Sequence, residues 1–182
     1  MTNNIRENLI QLLLKEDVKS FNALREKETT TKIDLSETDL EGLTLNNANF
    51  SEFELNGVNF ADSSLENAIF TNTNLTTTNF TGADLKYCNF NNANLSGAYL
   101  TNTDATEADF TDANFNGTDL RETNFTNAEL SASVNLSQAK FDNLTIWPEN
   151  QNLPEDFDSS CSNLSNNNDE DENVYDGEIE NN

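Results

Sequence analysis

Residues 83–117 read ADLKYCNFNNANLSGAYLTNTDATEADFTDANFNG, and their spacing decides the fold. A large apolar residue returns every fifth position at Leu85, Phe90, Leu95 and Leu100, lapses at Ala105, and resumes at Phe110 and Phe115. Working back, the series reaches Leu35 through Leu40, Leu45, Phe50, Leu55, Phe60, Leu65, Phe70, Leu75 and Phe80. Working forward, it continues through Leu120, Phe125 and Leu130. Two residues before these centres stand small or apolar residues such as Ala48, Val58, Ala68, Ala93 and Ala108. An internal repeat this regular settles architecture before any other consideration.

A five-residue period fits neither regular element. On a helix, positions five apart drift around the axis and make no apolar stripe. On a straight strand, an odd period sends successive centres to opposite faces. The centre and the residue two before it do share a strand face, so each unit must be a short extended piece followed by a bend. Gly42, Gly57, Gly82, Gly97 and Gly117 lie two residues past a centre, where a bend needs unusual backbone angles. Repeated bends wind the chain into a coil, with coils stacked at about 4.8 Å. Leu and Phe alternate from Leu45 to Leu95, so three sides would stack Phe over Leu, whereas four sides stack like on like. Four sides put Phe50, Phe70, Phe90 and Phe110 in one column, with Ala48, Ala68, Cys88 and Ala108 beside it.

The units ADLKY (83–87), ANLSG (93–97), ADFTD (108–112), ANFNG (113–117) and AELSA (128–132) resemble those of pentapeptide-repeat proteins. The resemblance covers 33–130 and weakens toward Phe141. It implies an all-β solenoid: a right-handed quadrilateral β-helix of about five coils, with an N-terminal α-helical cap and a disordered acidic C-terminal tail. Two departures stand out. Ala105 predicts a local void or repacking, and the six-residue step from Leu130 to Leu136 predicts an insertion or the end of the coil near 131–134.

Three regions follow: a helical cap at 1–32, the repeat β-helix at 33–147, and a closing segment with a disordered acidic tail at 148–182. Within 4–28, Ile5, Leu9, Leu12 and Leu13 make one apolar face and Val18, Phe21 and Leu24 another, with a break near Glu16–Asp17. Two short helices are expected, covering the first coil as terminal repeats require. The segment LLLKEDVKSFNALREK also resembles the helical lead-in of cyanobacterial members of the family. At the far end, TIWPENQNLPEDF (145–157) resembles a Trp-Pro closing segment, so Trp147 is expected to lid the last coil. From about Ser159 the chain is Asn, Ser, Asp and Glu, too polar to order itself.

The net charge is −24 over 182 residues, unevenly placed. Residues 1–32 carry six basic and five acidic groups, 33–147 three and seventeen, and 148–182 none and eleven. Direct nucleic-acid binding is not expected, since phosphate contacts depend on Lys and Arg. Cys88 occupies a small core slot and Cys161 lies in the tail, which fits a reducing cytoplasmic setting rather than a disulfide framework. The sequence predicts neither a secretory signal nor a membrane span.

Histidine is absent, which removes the usual general base, the Ser-His and Cys-His nucleophile pairs and the commonest zinc ligand. Four sides bring Asp84 and Asp104 one coil apart on one face, with Glu107 near; such carboxylates could hold calcium or act as acid and base. The same residue types recur all round the coil as part of the repeat, so no catalytic, cofactor or metal residue is assigned and no cofactor or small-molecule substrate is expected. Tyr87 and Tyr99 are candidate contact rings. The expected function is a non-catalytic scaffold binding an unidentified protein partner through its ladder faces or helical cap. The alternative is an acidic DNA mimic: quinolone-resistance members of the family engage DNA gyrase in place of DNA. About 24 Å of coil would have to match roughly fourteen phosphates in two tracks. Asn74, Asn94 and Asn114 on one face, and Asn59, Asn79 and Tyr99 on another, leave such tracks unfilled.

Overall fold

The computed structural model describes residues 2–27, 32–130, 134–136, 138–149 and 173–175. It opens with two helices, α1 (Thr2–Leu14) and α2 (Val18–Arg25), separated at Lys15–Asp17. Glu16 ends α1 in the left-handed region, φ 55°. Asp17 then caps α2, its carboxylate accepting the Ser20 N–H at 3.1 Å. Leu9, Leu13 and Phe21 are fully buried, and the Phe21 ring lies 5.2 Å from that of Phe50 and 6.0 Å from that of Phe53. The apolar stripes of both helices are thus spent on the start of the repeat.

From Ile33 onward each five-residue unit makes one two-residue turn and one bridge residue. The bridge residues pair in parallel with those twenty positions on: Asp34 with Glu54, Asp39 with Asn59, Thr44 with Ser64 and Asn49 with Ile69. The chain therefore returns alongside itself after every fourth unit. A pair of backbone bonds makes each return, as where Asn59 N donates to Thr38 O (3.0 Å) and Leu40 N to Asn59 O (2.8 Å). The second turn residue lies in the left-handed region at every corner from Glu37 to Asn127, with φ from 57° to 64° at Asn47, Asn67, Tyr87, Glu107 and Asn127.

The interior consists of the centres and the small slots beside them. Phe50, Phe70, Phe90 and Phe110 stack at 5.2, 4.8 and 4.8 Å, near parallel, as like-on-like spacing predicts. Phe60 and Phe80 stack at 5.3 Å in a second column. The two columns meet edge to face across the interior, Phe70 on Phe80 at 5.8 Å and 84°. Such pairs add roughly 0.5–1.5 kcal/mol beyond burial. Ala105 is fully buried, and beyond it rings enter two further columns: Phe115 and Phe125 join Phe110 in a cluster with centroids 5.1–6.2 Å apart. After the lapse, the columns that held Leu95 and Ala105 carry Phe115 and Phe125.

The small slots also take hydroxyls. The side chains of Thr73, Thr78, Thr103, Thr118 and Thr123 are buried, and each donates to the carbonyl of a centre in the coil before, at 2.7–3.0 Å. A buried polar group is tolerated when it is so paired.

Past Leu130 the register slips and continues. Asn114 pairs with Asn135 and Asp119 with Lys140, one residue beyond the regular offset, and Asn124 pairs with Ile146, two beyond. Single insertions thus bring Leu136, Phe141 and Trp147 to centre positions. Trp147 stacks on Phe125 at 5.5 Å and meets Phe141 edge-on at 5.3 Å, covering the last rings. Strand β1 (Ala139–Phe141) pairs antiparallel with β2 (Asn173–Tyr175). Disorder was the expectation for this part of the tail; at 173–175 a strand stands instead, on an edge of the last coil, which would otherwise be open to pairing. The remainder of the expected disordered tail, Cys161 included, lies outside the described residues. No helix among the described residues is long and apolar enough to cross a membrane.

Candidate functional site

The residue before each centre looks outward, and where it is Asp or Asn between Asp34 and Asn124 its side chain is committed to the corner that follows. Asp34, Asn74, Asn94, Asp104, Asp109 and Asn124, among others, accept the N–H of the residue two on, at 2.8–3.2 Å. An amide oxygen serves as well as a carboxylate, which is why Asn and Asp alternate freely at this position. Many of the amides also link coil to coil: Asn79 donates to Asn59 at 3.0 Å, Asn114 to Asn94 at 3.2 Å and Asn135 to Asn114 at 2.8 Å.

Asp84 and Asp104 do come together on one face, as their bridge requires. What lies between them is the Lys86 ammonium, 3.0 Å from Asp84 and 2.9 Å from Asp104. Its pKa is raised by these two partners, Asp104 first. The carboxylates that would hold a cation already hold one of the chain's own. The signal for this was in the sequence: Lys86 follows the centre Leu85, and residues on either side of a centre share a face. No cluster of three or more metal-ligating side chains occurs among the described residues.

The other perturbed carboxylates are structural too. Burial pushes Asp109 up, but hydrogen bonds from Thr111 and Asn91 outweigh it and leave the carboxyl below its ordinary range. Asp119 behaves alike, burial being outweighed by Arg121, whose Nε lies 2.9 Å away. Glu54 is lowered chiefly by Lys32, with which it is ion-paired. Burial pushes the Cys88 thiol far up; its Sγ donates to Leu65 O at 3.0 Å, and such a thiol is unreactive.

At the N-terminal end, side chains of the helical segment satisfy backbone groups that no earlier coil reaches. Arg6 donates to Asp34 O and Ser36 O, both at 3.1 Å, and Arg25 to Ser51 O at 3.0 Å. Glu16 accepts from Thr44 N at 2.7 Å, and Asn22 accepts from Asn49 N at 2.9 Å. Tyr87 and Tyr99 are both about half exposed. They do not converge: Tyr99 pairs within the Asn79–Asp119 face, whereas Tyr87 stands at the corner leading to Asn89.

A five-residue repeat whose coils pair in parallel and whose centres fill the interior defines a β-helical repeat protein. Family models agree: "Pentapeptide repeat region" matches 31–100, and "Pentapeptide repeats (8 copies)" matches 88–127 and 106–143. The chain belongs to the pentapeptide-repeat family. Among solved structures it is similar to the pentapeptide-repeat protein Rfr23 from the cyanobacterium Cyanothece 51142, with TM-score 0.61 and 21% identity over 71% of this chain and 99% of that one. It is also similar to HetL from Nostoc sp. strain PCC 7120, a protein involved in heterocyst differentiation regulation, with TM-score 0.45, 24% identity, and coverage of 61% and 59%. QnrB1, a plasmid-mediated fluoroquinolone resistance protein, gives TM-score 0.42 and 20% identity over 67% and 76%. No curated protein matches the chain.

Proposed function

We propose that the repeat is a right-handed, four-sided β-helix of about five coils at 33–147, capped by the helical segment 1–32 and followed by an acidic tail at 148–182. We propose further that it is a non-catalytic, cytoplasmic scaffold that binds another protein through its faces or its helical end. The twenty-residue parallel register and the likeness to Rfr23 support the four-sided coil. The observation that carries the scaffold reading is the commitment of polar side chains to the architecture itself. The corner carboxylates and amides hold their own turns, the buried hydroxyls hold the coil below, and Lys86 neutralises the one paired-carboxylate candidate. With no histidine in the sequence, little is left to perform chemistry, and much flat surface is left to be contacted.

Affinity capture with cross-linking in the host cell, followed by reconstitution from purified components, tests this reading. A stoichiometric protein complex is expected. Turnover of a small molecule with no protein retained would overturn it. DNA mimicry is tested in the same series, with gyrase supercoiling expected to be unaffected at micromolar protein.

A further inference from the structure

Net charge is absent from the middle of the repeat. Between residues 67 and 103 the only ionised side chains are Asp84 and Lys86, which pair with each other. The stretch before it, 34–66, holds eight carboxylates and no cation; the stretch after it, 104–130, holds seven and one. The neutral belt is nearly two coils, about 10 Å of the stack. All three large apolar side chains exposed within 34–130, Ile69, Tyr87 and Tyr99, fall inside it.

Two of the three are neighbours. Ile69 lies on the face of Asn49, Asn89, Asp109 and Glu129. Tyr87 stands one coil later, at the corner by which the chain enters that face. Its backbone is left-handed, φ 59°, where the same corner in other coils has Asn47, Asn67 and Asn127. A bulky ring is disfavoured there, and the turn itself does not ask for one. Around the pair the polar groups are already matched: Thr71 donates to Asn89 at 3.1 Å, and Asn91 to Asp109 at 2.8 Å. Such a surface is dehydrated at low cost, because few of its polar groups lose a partner. Exposed carboxylates bracket it, Glu52 one coil before and Glu107 and Asp112 after.

We infer that the Ile69–Tyr87 patch is the docking site for a cationic amphipathic helix. The helix lays apolar residues on the patch and Lys or Arg on the carboxylates at either end. Glu52 and Asp112 occupy one corner column three coils apart, about 14 Å, which a helix covers in about ten residues. The charge pattern selects this occupant: acidic flanks repel a second acidic copy and attract a basic partner, while the uncharged centre is where interfaces place tyrosine and exclude carboxylates. The inference rests on the scaffold reading and names its partner chemistry.

The test is fluorescence anisotropy of two labelled helical peptides with the full chain at 0.15 M salt. One peptide carries Leu centrally with Arg pairs about ten residues apart; the other has the same composition with all Arg at one end. The split peptide is expected to bind at least fivefold tighter. Ile69→Asn and Tyr87→Asn, residues already used at equivalent positions, are each expected to weaken it at least fivefold without lowering the melting temperature. Tyr99→Ser, on another face, is expected to change it less than twofold. Equal binding of the two peptides, indifference to Ile69 and Tyr87, or an equal effect at Tyr99 overturns the inference. So does a dimer, in sedimentation velocity, that Tyr87→Asn dissociates. In those cases the scaffold reading still stands if the chain retains a protein partner elsewhere.

Discussion

Within each unit, position decides what a side chain is worth. Leu85 is fully buried at a centre, whereas Thr81, four residues earlier, faces partly outward. Leu85→Asp places an unpaired charge in the core and is expected to cost more than about 3 kcal/mol, enough to open the coil. Thr81→Asp is expected to stay within about 0.5 kcal/mol. Thermal unfolding of both variants checks the inward assignment, and equal midpoints would contradict it. The corner position follows a different rule. Gly82 and Gly117 share a left-handed backbone, φ 70° and 67°. A Cβ on Gly82 would clash with the Asp62 carboxylate, while one on Gly117 meets nothing within 4 Å. Both alanine variants should lose about 1–2 kcal/mol to the backbone, and Gly82→Ala should lose more. Equal losses in denaturant titrations would show that the Asp62 side chain moves aside freely.

Among the elements, the two ends of the stack are closed by different means. The N-terminal end uses two helices whose buried side chains meet the first Phe rings, and whose polar side chains bond to the exposed backbone of the first coil. Phe21 is the anchor, and Phe21→Ala is expected to cost about 3–5 kcal/mol. The loss should appear as a lower midpoint with earlier aggregation on heating, since uncovered strand edges template association. An unchanged midpoint would mean that the helices do not stabilise the coils. The C-terminal end uses slipped coils, the Trp147 ring and β2. The helices were legible from their two apolar faces and the Glu16–Asp17 break. The slips were legible only as the six-residue step to Leu136, because one inserted residue is indistinguishable from the end of a repeat until its bridge is seen.

Over the whole molecule the large negative charge and the local hydrogen bonds respond to acid in opposite directions. Asp17, Asp34, Glu54, Asp104, Asp109 and Asp119 have carboxyls lowered in the fold. Their stabilisation is therefore fully present above the unfolded-state values, about 3.9 for Asp and 4.3 for Glu. It is lost as pH falls through the lower folded values. Protonation also relieves repulsion among carboxylates, but beyond about 8 Å this is screened at physiological salt, whereas hydrogen-bonded contacts are not. The melting temperature is accordingly expected to fall below about pH 4. A midpoint that rises steadily to pH 2 would show repulsion to be the larger effect. Lys86 acts at the other extreme: its raised pKa contributes below about pH 10.4 and is lost as pH rises through the folded value.

By itself the sequence determined the period, the inward residues, the return of like on like after every fourth unit and the helical start, because each is a matter of spacing along one chain. The tertiary structure alone decided what lies beside what across coils. The Thr hydroxyls on carbonyls one coil away and Ile69 beside the Tyr87 corner join residues about twenty positions apart. Such contacts depend on register, which a single misplaced residue shifts, so they become visible only once the coils are in place.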